Sequence, residues 1–484
     1  DADAPDGGAF FAAVHRTLDV EYAGAAATFA MRLSPDEPAE NSSSAEPAGA
    51  RQGTFSGTSR KRWADYFASL PSFRCADPYI EALYRYRWYV MRVNSRAPSD
   101  GVKNAVGKVR ELRWMGDGSL ARETLREFLK KPAAADWGAA LGALEQLWPD
   151  AAFNKQITRK VVAAADWLVA ERDREESGLF DIARDDRSLE SRTTAAATGR
   201  IKGIENSVYA YRLFRWLEHC ATRTGGDSSN WTMRADRTRD AIREKMWNPA
   251  TEMFGDVDAR SFAHTGVKHA RCFLPYGTDI ADASHLAGLE KHLLSAREFL
   301  TEFPVPSVSA DDPRFSAEGE WKSRRANEPW NGRVYPEVTA EVIDALAHTA
   351  RSHAPHLRAP AAALLRRFVR MMFHDGELHR VNSFEHYNPL TGHASVFRGG
   401  DDVQHAWLND LIIRHVMGID VGEAGVTVDP LPLALEFAEI CGLKIRGRSI
   451  DVHIEGMSIT VTVDGESASG SLGNPMVFAT PSTG

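Results

Sequence analysis

The chain has 484 residues, of which 43% are hydrophobic and 26% charged. That is a globular balance, long enough for one large core and a smaller unit beside it. The formal net charge of −8 excludes the broad basic field that nucleic-acid binding needs. No run of about 18 apolar residues occurs, so no membrane-spanning helix is expected. Asp1 to Gly8 carry neither the basic nor the apolar region of a signal peptide. Cysteines 75, 220, 272 and 441 are spaced too widely for a zinc knuckle and read as reduced thiols. These features together predict a cytoplasmic protein. The sequence names no oligomeric state; a homo-oligomer is compatible with it.

Residues 1–59 read as an N-terminal β segment and linker. Leu18, Val20 and Tyr22 alternate with Asp19 and Glu21, the period of a half-buried strand, and Thr28–Met31 is a weaker second strand. Glu37 to Ser59 is rich in Ser, Pro, Gly and Ala, a composition that builds no core. From Arg60 to about 420 the period becomes helical. Helices are predicted at 60–70, 77–95, 118–130, 137–147, 154–172, 203–223, 233–246, 283–300, 335–352, 358–373 and 402–417. No 34- or 40-residue repeat recurs, so a closed ring of helical hairpins fits better than a solenoid. Residues 421–484 return to strands. Ile450, Val452 and Ile454 alternate with polar residues, as do Ile459, Val461 and Val463, and Glu455-Gly456 and Asp464-Gly465 supply the turns. The expected class is mainly α, with small antiparallel β segments at both ends.

Three segments between helices concentrate polar and aromatic side chains. The first, 177–192, holds Asp181, Asp185, Asp186 and Glu190 among Arg184, Arg187 and Arg192; on composition alone it reads equally as a solvated charged loop. The second holds Asp311, Asp312, Trp321 and then Trp330, Asn331 and Arg333 at the entrance of a helix, where loops present binding groups. Asp-Asp-Pro and Asn-Gly also read simply as turns. In the third, Glu385 lies among Phe384, His386 and Tyr387, and Trp407 opens the next helix. A carboxylate so placed has a pKa sensitive to burial and neighbouring charge. Taken together the segments suggest glycoside hydrolysis, which needs one carboxylic acid, a second carboxylate and aromatic platforms for sugar faces.

On these residues the chain resembles the (α/α)6-barrel glycosidases of glycoside hydrolase family 63 and their trehalase-like relatives. The resemblance runs from about Arg60 to Gly447 and is best in Glu320–Pro336, Phe384–Gly392, Asp401–Ile412 and Val428–Pro432. It is also carried by Arg110–Trp114, Lys202–Asn206 and Met246–Phe254. It implies an (α/α)6 barrel over 60–420 and inverting hydrolysis of a small α-linked glucoside or related glycoside, with no cofactor and no metal in the chemistry. It places the catalytic base at Glu385. The acid is expected in the 177–192 loop, four residues before an Arg. Four residues before Arg192 stands Ser188, which cannot protonate a glycosidic oxygen, so the nearest carboxylate, Glu190, becomes the candidate acid, followed by Asp186 and Asp181. Trp330, Asn331, Arg333, Trp321, Trp407, Asp186 and Tyr387 are the expected substrate-binding residues. Two other readings stand beside this one: a catalytically silent carbohydrate-binding relative, which the altered acid position permits, and a sugar epimerase or isomerase using His386 and His405.

Overall fold

A computed structural model describes residues 54–94, 105–129, 136–182, 199–318, 329–394, 407–422 and 425–479. The chain divides into Asp1–Ser59 and Arg60–Gly484. The strands expected at 10–35 lie outside the described residues.

Helices build the body of the second unit, and their ends follow local chemistry. Trp137–Leu147 starts at Asp136, whose carboxylate accepts the Ala139 N–H, and Ala151–Arg172 starts the same way, with Asp150 accepting from Phe153. Such caps satisfy backbone donors that the first turn leaves free. Pro336–Ser352 opens on a proline, whose missing N–H costs nothing at that position. It buries Val338, Val342, Ile343 and Leu346 along one stripe. Ile204–Arg223 is buried over most of its length and packs on Trp137–Leu147. A Cβ on Gly138 would lie 2.4 Å from the Arg212 backbone, so glycine lets these two helices approach backbone to backbone.

The helix expected at 283–300 is absent as a continuous element. Only the short turns Ala283–His285 and Gly288–Leu293 form, followed by turns closed on the Ser295 carbonyl. Tertiary contacts override the helical period here: both ring nitrogens of His292 are engaged, one with the Thr251 carbonyl and one with Glu298, each at 2.7 Å. Among the described elements that were not foreseen are the helix Ala105–Leu112 and the tight helical run Ala270–Gly277, which contains Pro275. Of the helix expected at 402–417, residues 402–406 lie outside the described residues and 408–416 are helical.

The C-terminal residues form two antiparallel sheets. The larger has the strand order Ser72–Cys75, Phe437–Ile445, Arg448–Glu455, Ser458–Val463, Glu466–Ser471. Its inner face carries the expected Ile450, Val452, Ile454, Ile459, Val461 and Val463, all buried. Its first strand comes from the start of the helical region, with Phe73 opposite Ile440. The smaller sheet joins Met476–Ala479, Gly425–Val428 and Ile419–Gly422. Gly418, which leads from helix to sheet, has φ 71°, and a Cβ there would stand 2.1 Å from the Pro430 nitrogen. Gly418→Ala is therefore expected to destabilise the fold by more than the about 1–2 kcal/mol of left-handed strain alone, read as a lower urea midpoint.

Candidate active site

The second and third polar segments meet in space. Val334 and Tyr387 exchange both backbone hydrogen bonds at 2.9 Å, and Ser307 donates to the Arg333 carbonyl at 3.0 Å. The backbone of Gly332 passes so close to this ribbon that a Cβ would fall 2.4 Å from the Ser316 carbonyl oxygen. The pairing brings the 330–335 turn alongside Glu385, which is half-buried at a bend between Phe384 and His386. Trp330 lies flat on Tyr335, with ring centroids 3.6 Å apart and planes 4° from parallel, and the Tyr335 ring is 5.3 Å from that of His386. The result is an aromatic pair on the same ribbon that carries Glu385.

A charged cluster adjoins this pair. The Arg271 guanidinium stands 5.1 Å over the Trp330 ring and reaches Glu337 at 3.3 Å and Glu205 at 3.9 Å. Glu205 and Glu337 occupy the first turns of Ile204–Arg223 and Pro336–Ser352, where helix dipoles favour negative charge. The Nε of Arg271 and the Oδ1 of Asn331 are buried with no hydrogen-bond partner among the described residues. Unsatisfied polar atoms are rare in folded proteins and concentrate at functional sites.

Deeper along the same helices, Glu341 accepts the Tyr209 hydroxyl at 3.0 Å. It lines a cavity of about 230 Å³ together with Asp136, Arg212, Arg110, Asp344 and Trp407. Enclosure in protein raises its carboxyl to about 7, against the opposing pull of Arg271 and Arg212. The folded value exceeds the ordinary value of about 4.3, so the folded state holds this proton longer than the unfolded chain does. Its contribution to stability therefore falls as pH rises from about 4 through 7. Glu341→Gln, neutral and of the same shape, is expected to flatten the melting temperature between pH 5 and about 8 relative to the parent. A larger cavity, about 820 Å³, lies nearer the C-terminal ends of Trp137–Leu147 and Ile204–Arg223, lined by Gln146, Tyr211, Arg215, Trp216, His219 and Asp279. Neither Trp330 nor Glu385 lines either cavity.

Several expected site residues have other duties. Arg333 is buried, and its guanidinium donates to His386 Nδ1 at 3.0 Å and to the carbonyls of Ala317 and His393 at 3.2 and 3.1 Å. It is a strut that ties the 333–335 and 386–393 backbones, not a free sugar donor. Tyr387 is fully buried; its hydroxyl donates to Asn382 Oδ1 at 2.8 Å and accepts the Phe384 N–H at 2.7 Å. It shapes the bend that holds Glu385. Trp407 packs under Arg110, 4.4 Å from the guanidinium, and its indole N–H donates to Asp344 at 2.9 Å. It belongs to the inner cavity. Asp311 pairs with Lys268 at 2.6 Å, and Asp312 closes a turn on Arg314 at 2.9 Å, as Asp-Asp-Pro suggests. Asp181 is buried and paired with Arg200 and Lys202. Glu190, Asp186, Asp185, Trp321 and His405 lie outside the described residues. Sequence reasoning missed Arg271, Glu337 and Glu341. Lys202–Asn206 and Glu320–Pro336, quoted above for the resemblance, were the signals near this cluster.

The family model of the mannosylglycerate hydrolase MGH1-like glycoside hydrolase domain matches residues 64–407 of this chain. No curated protein matches the sequence. Among solved structures, a sialidase superposes with a TM-score of 0.71 at 16% identity, over 82% of this chain and 40% of its own. The family 63 mannosylglycerate hydrolase of Thermus thermophilus, solved with glucose, gives 0.54 at 15% identity, over 68% of this chain and 98% of its own. A family 78 rhamnosidase from a Bacillus species gives 0.54 at 13% identity, over 82% and 41%. The chain thus spans less than half the length of the sialidase and the rhamnosidase. At such identities the likeness is one of fold.

Proposed function

Because the chain belongs to the mannosylglycerate hydrolase MGH1-like glycoside hydrolase family, we propose that it is an inverting glycosidase acting on a small α-linked glucoside or related glycoside. Its paired helices over 60–420 then close as an (α/α)6 barrel, with the site at the end where Ile204–Arg223 and Pro336–Ser352 begin. The observation that supports this reading is the exchange of backbone hydrogen bonds between Val334 and Tyr387, which joins the segment bearing Trp330 and Tyr335 to the segment bearing Glu385. Trp330, only half-buried, offers the apolar surface that a sugar ring lies against. The Asn331 Oδ1 and Arg271 Nε, without partners among the described residues, suit a ligand dense in hydroxyls.

Glu385 acts as general base. Held by a bend that Tyr387 and Asn382 lock, it removes a proton from a water that attacks the anomeric carbon from the face opposite the leaving group. Glu190 donates the proton to the departing oxygen. In an inverting enzyme the two carboxyl groups stand about 6.5–9.5 Å apart, leaving room for that water. The base need not be His386: its Nδ1 is already the acceptor of the Arg333 N–H, which favours hydrolysis over an imidazole-driven isomerisation.

Incubation with p-nitrophenyl α-glycosides, free α-disaccharides and mannosylglycerate tests the reading, with proton NMR following the first anomer formed. Release of free sugar as the β-anomer is expected. Epimer or aldose–ketose exchange, binding without turnover, or first release of the α-anomer would each overturn it.

A further inference from the structure

The outer face of the larger sheet carries a group of side chains that glycoside hydrolysis does not use. Glu439 and Cys441 sit two residues apart on Phe437–Ile445, so both point outward. His453 stands directly opposite Glu439 on Arg448–Glu455. The strand is bulged here: pairing jumps from Ile440 opposite Val452 to Leu443 opposite Ile450, so Cys441 and Gly442 share Asp451 as partner. Gly442 takes φ 80°, and its N–H donates to the Asp451 carboxylate at 2.7 Å. A bulge of this kind twists the strand and re-aims its side chains. Here Cys441 Sγ comes to 3.9 Å from His453 Nε2, and His453 Nδ1 to 3.3 Å from Glu439 Oε2. The other carboxylate oxygen of Glu439 is held by Arg74 from the edge strand at 3.4 Å, which leaves Oε2 turned toward the imidazole.

We propose that Glu439, Cys441 and His453 form a surface zinc site that clips two adjacent strands of this sheet together. One donor atom from each of the three lies within 4.8 Å of the other two. Zinc bonds of about 2.0–2.3 Å to oxygen, nitrogen and sulfur set neighbouring ligands of a tetrahedron roughly 3.3–3.7 Å apart. The Cys441 and Glu439 contacts fall on different ring nitrogens, and one ion takes one of them, so the site closes by rotation of the exposed His453 imidazole until a single nitrogen faces both other donors. The donor set is one thiolate, one imidazole and one carboxylate. Its soft and borderline members select zinc over calcium or magnesium, which take oxygen ligands. Three protein ligands leave a fourth position for water. Asp451 is engaged with the bulge and is not counted as a ligand. The remaining cysteines, Cys75, Cys220 and Cys272, are all buried, so Cys441 is the thiol that solvent-borne metal reaches.

The test uses the full chain, reduced and freed of metal by a chelator. Titration with Co2+ is expected to give a sulfur-to-cobalt charge-transfer band and the visible bands of a tetrahedral ion, at one equivalent, displaced by Zn2+. Cys441→Ser should abolish the charge-transfer band, and His453→Ala should abolish tight binding. Glu439→Gln should weaken zinc about 10–100-fold, on the scale of losing a supporting carboxylate. Circular dichroism of each variant checks that the exposed substitutions leave the fold intact. Zn2+ should raise the melting temperature of the parent and not of Cys441→Ser. A parent protein without the charge-transfer band, or a band that survives Cys441→Ser, overturns the site. Sugar release plays no part in these readouts, so their outcome is independent of the hydrolase reading.

Discussion

Glu385→Gln is expected to cut turnover of a glycoside by about 10²–10⁴-fold, the share that a positioned acid or base contributes, while the unfolding transition stays where it is. The amide keeps the size and half-buried setting of the carboxylate at its bend but cannot take a proton from water. Because the groups proposed to bind substrate, Trp330 among them, are untouched, KM should change far less than kcat, the pattern of an interaction used only in the transition state. A paired variant, Glu190→Gln, should be equally damaging on a poor leaving group and partly relieved on a nitrophenyl glycoside, which departs without help. If Glu385→Gln retains full turnover, the base is another group, and Glu337 beside Arg271 is the next to test. Loss of activity together with loss of fold would show instead that the residue is structural.

The largest effect on stability is expected at Asp410. Its carboxylate is fully buried and accepts from Arg113 at 3.0 and 2.6 Å, from Arg110 at 3.0 and 2.7 Å, and from the Trp114 indole at 2.7 Å. Burial alone would raise this carboxyl, but Arg113, Arg110 and Arg414 outweigh it and hold it down at about 2. Asp410→Asn leaves the Arg113 guanidinium, itself 2% exposed, as an uncompensated buried charge. Breaking a buried pair in this way costs about 3–5 kcal/mol, measurable by urea unfolding. The exposed pair Arg174–Glu171 at 3.1 Å is the control, since Glu171→Gln should change stability by less than about 0.5 kcal/mol. The pH dependence has a definite sign. The folded value lies below the ordinary value of about 3.9, so the contribution of Asp410 is complete above about pH 4 and is lost as pH falls toward 2. The parent should weaken through that window, and Asp410→Asn, already without the charge, should weaken less.

What could be read from the sequence alone was whatever repeats within a few residues. The helical period placed Trp137–Leu147, Ile204–Arg223, Pro336–Ser352 and Arg358–Met371 to within two or three residues, because one buried stripe leaves its mark every third or fourth position. Alternation likewise marked Ile450, Val452 and Ile454 and their partners across the turn. The family too was legible, from short segments such as Glu320–Pro336 and Phe384–Gly392, and with it the two segments that the fold pairs through Val334 and Tyr387.

The tertiary structure alone decided which polar residues are free. Arg333 and Tyr387 carry the right chemistry for a sugar site, yet burial and three or two internal hydrogen bonds turn them into supports. Arg271 joins Glu205 and Glu337, 66 residues away on each side, and no local spacing announces such a cluster. The same holds for Cys441 and His453, whose approach depends on a strand pairing and a bulge. Secondary structure is encoded locally by side-chain periodicity, whereas burial, ion pairing and ligand geometry depend on what the rest of the chain brings alongside.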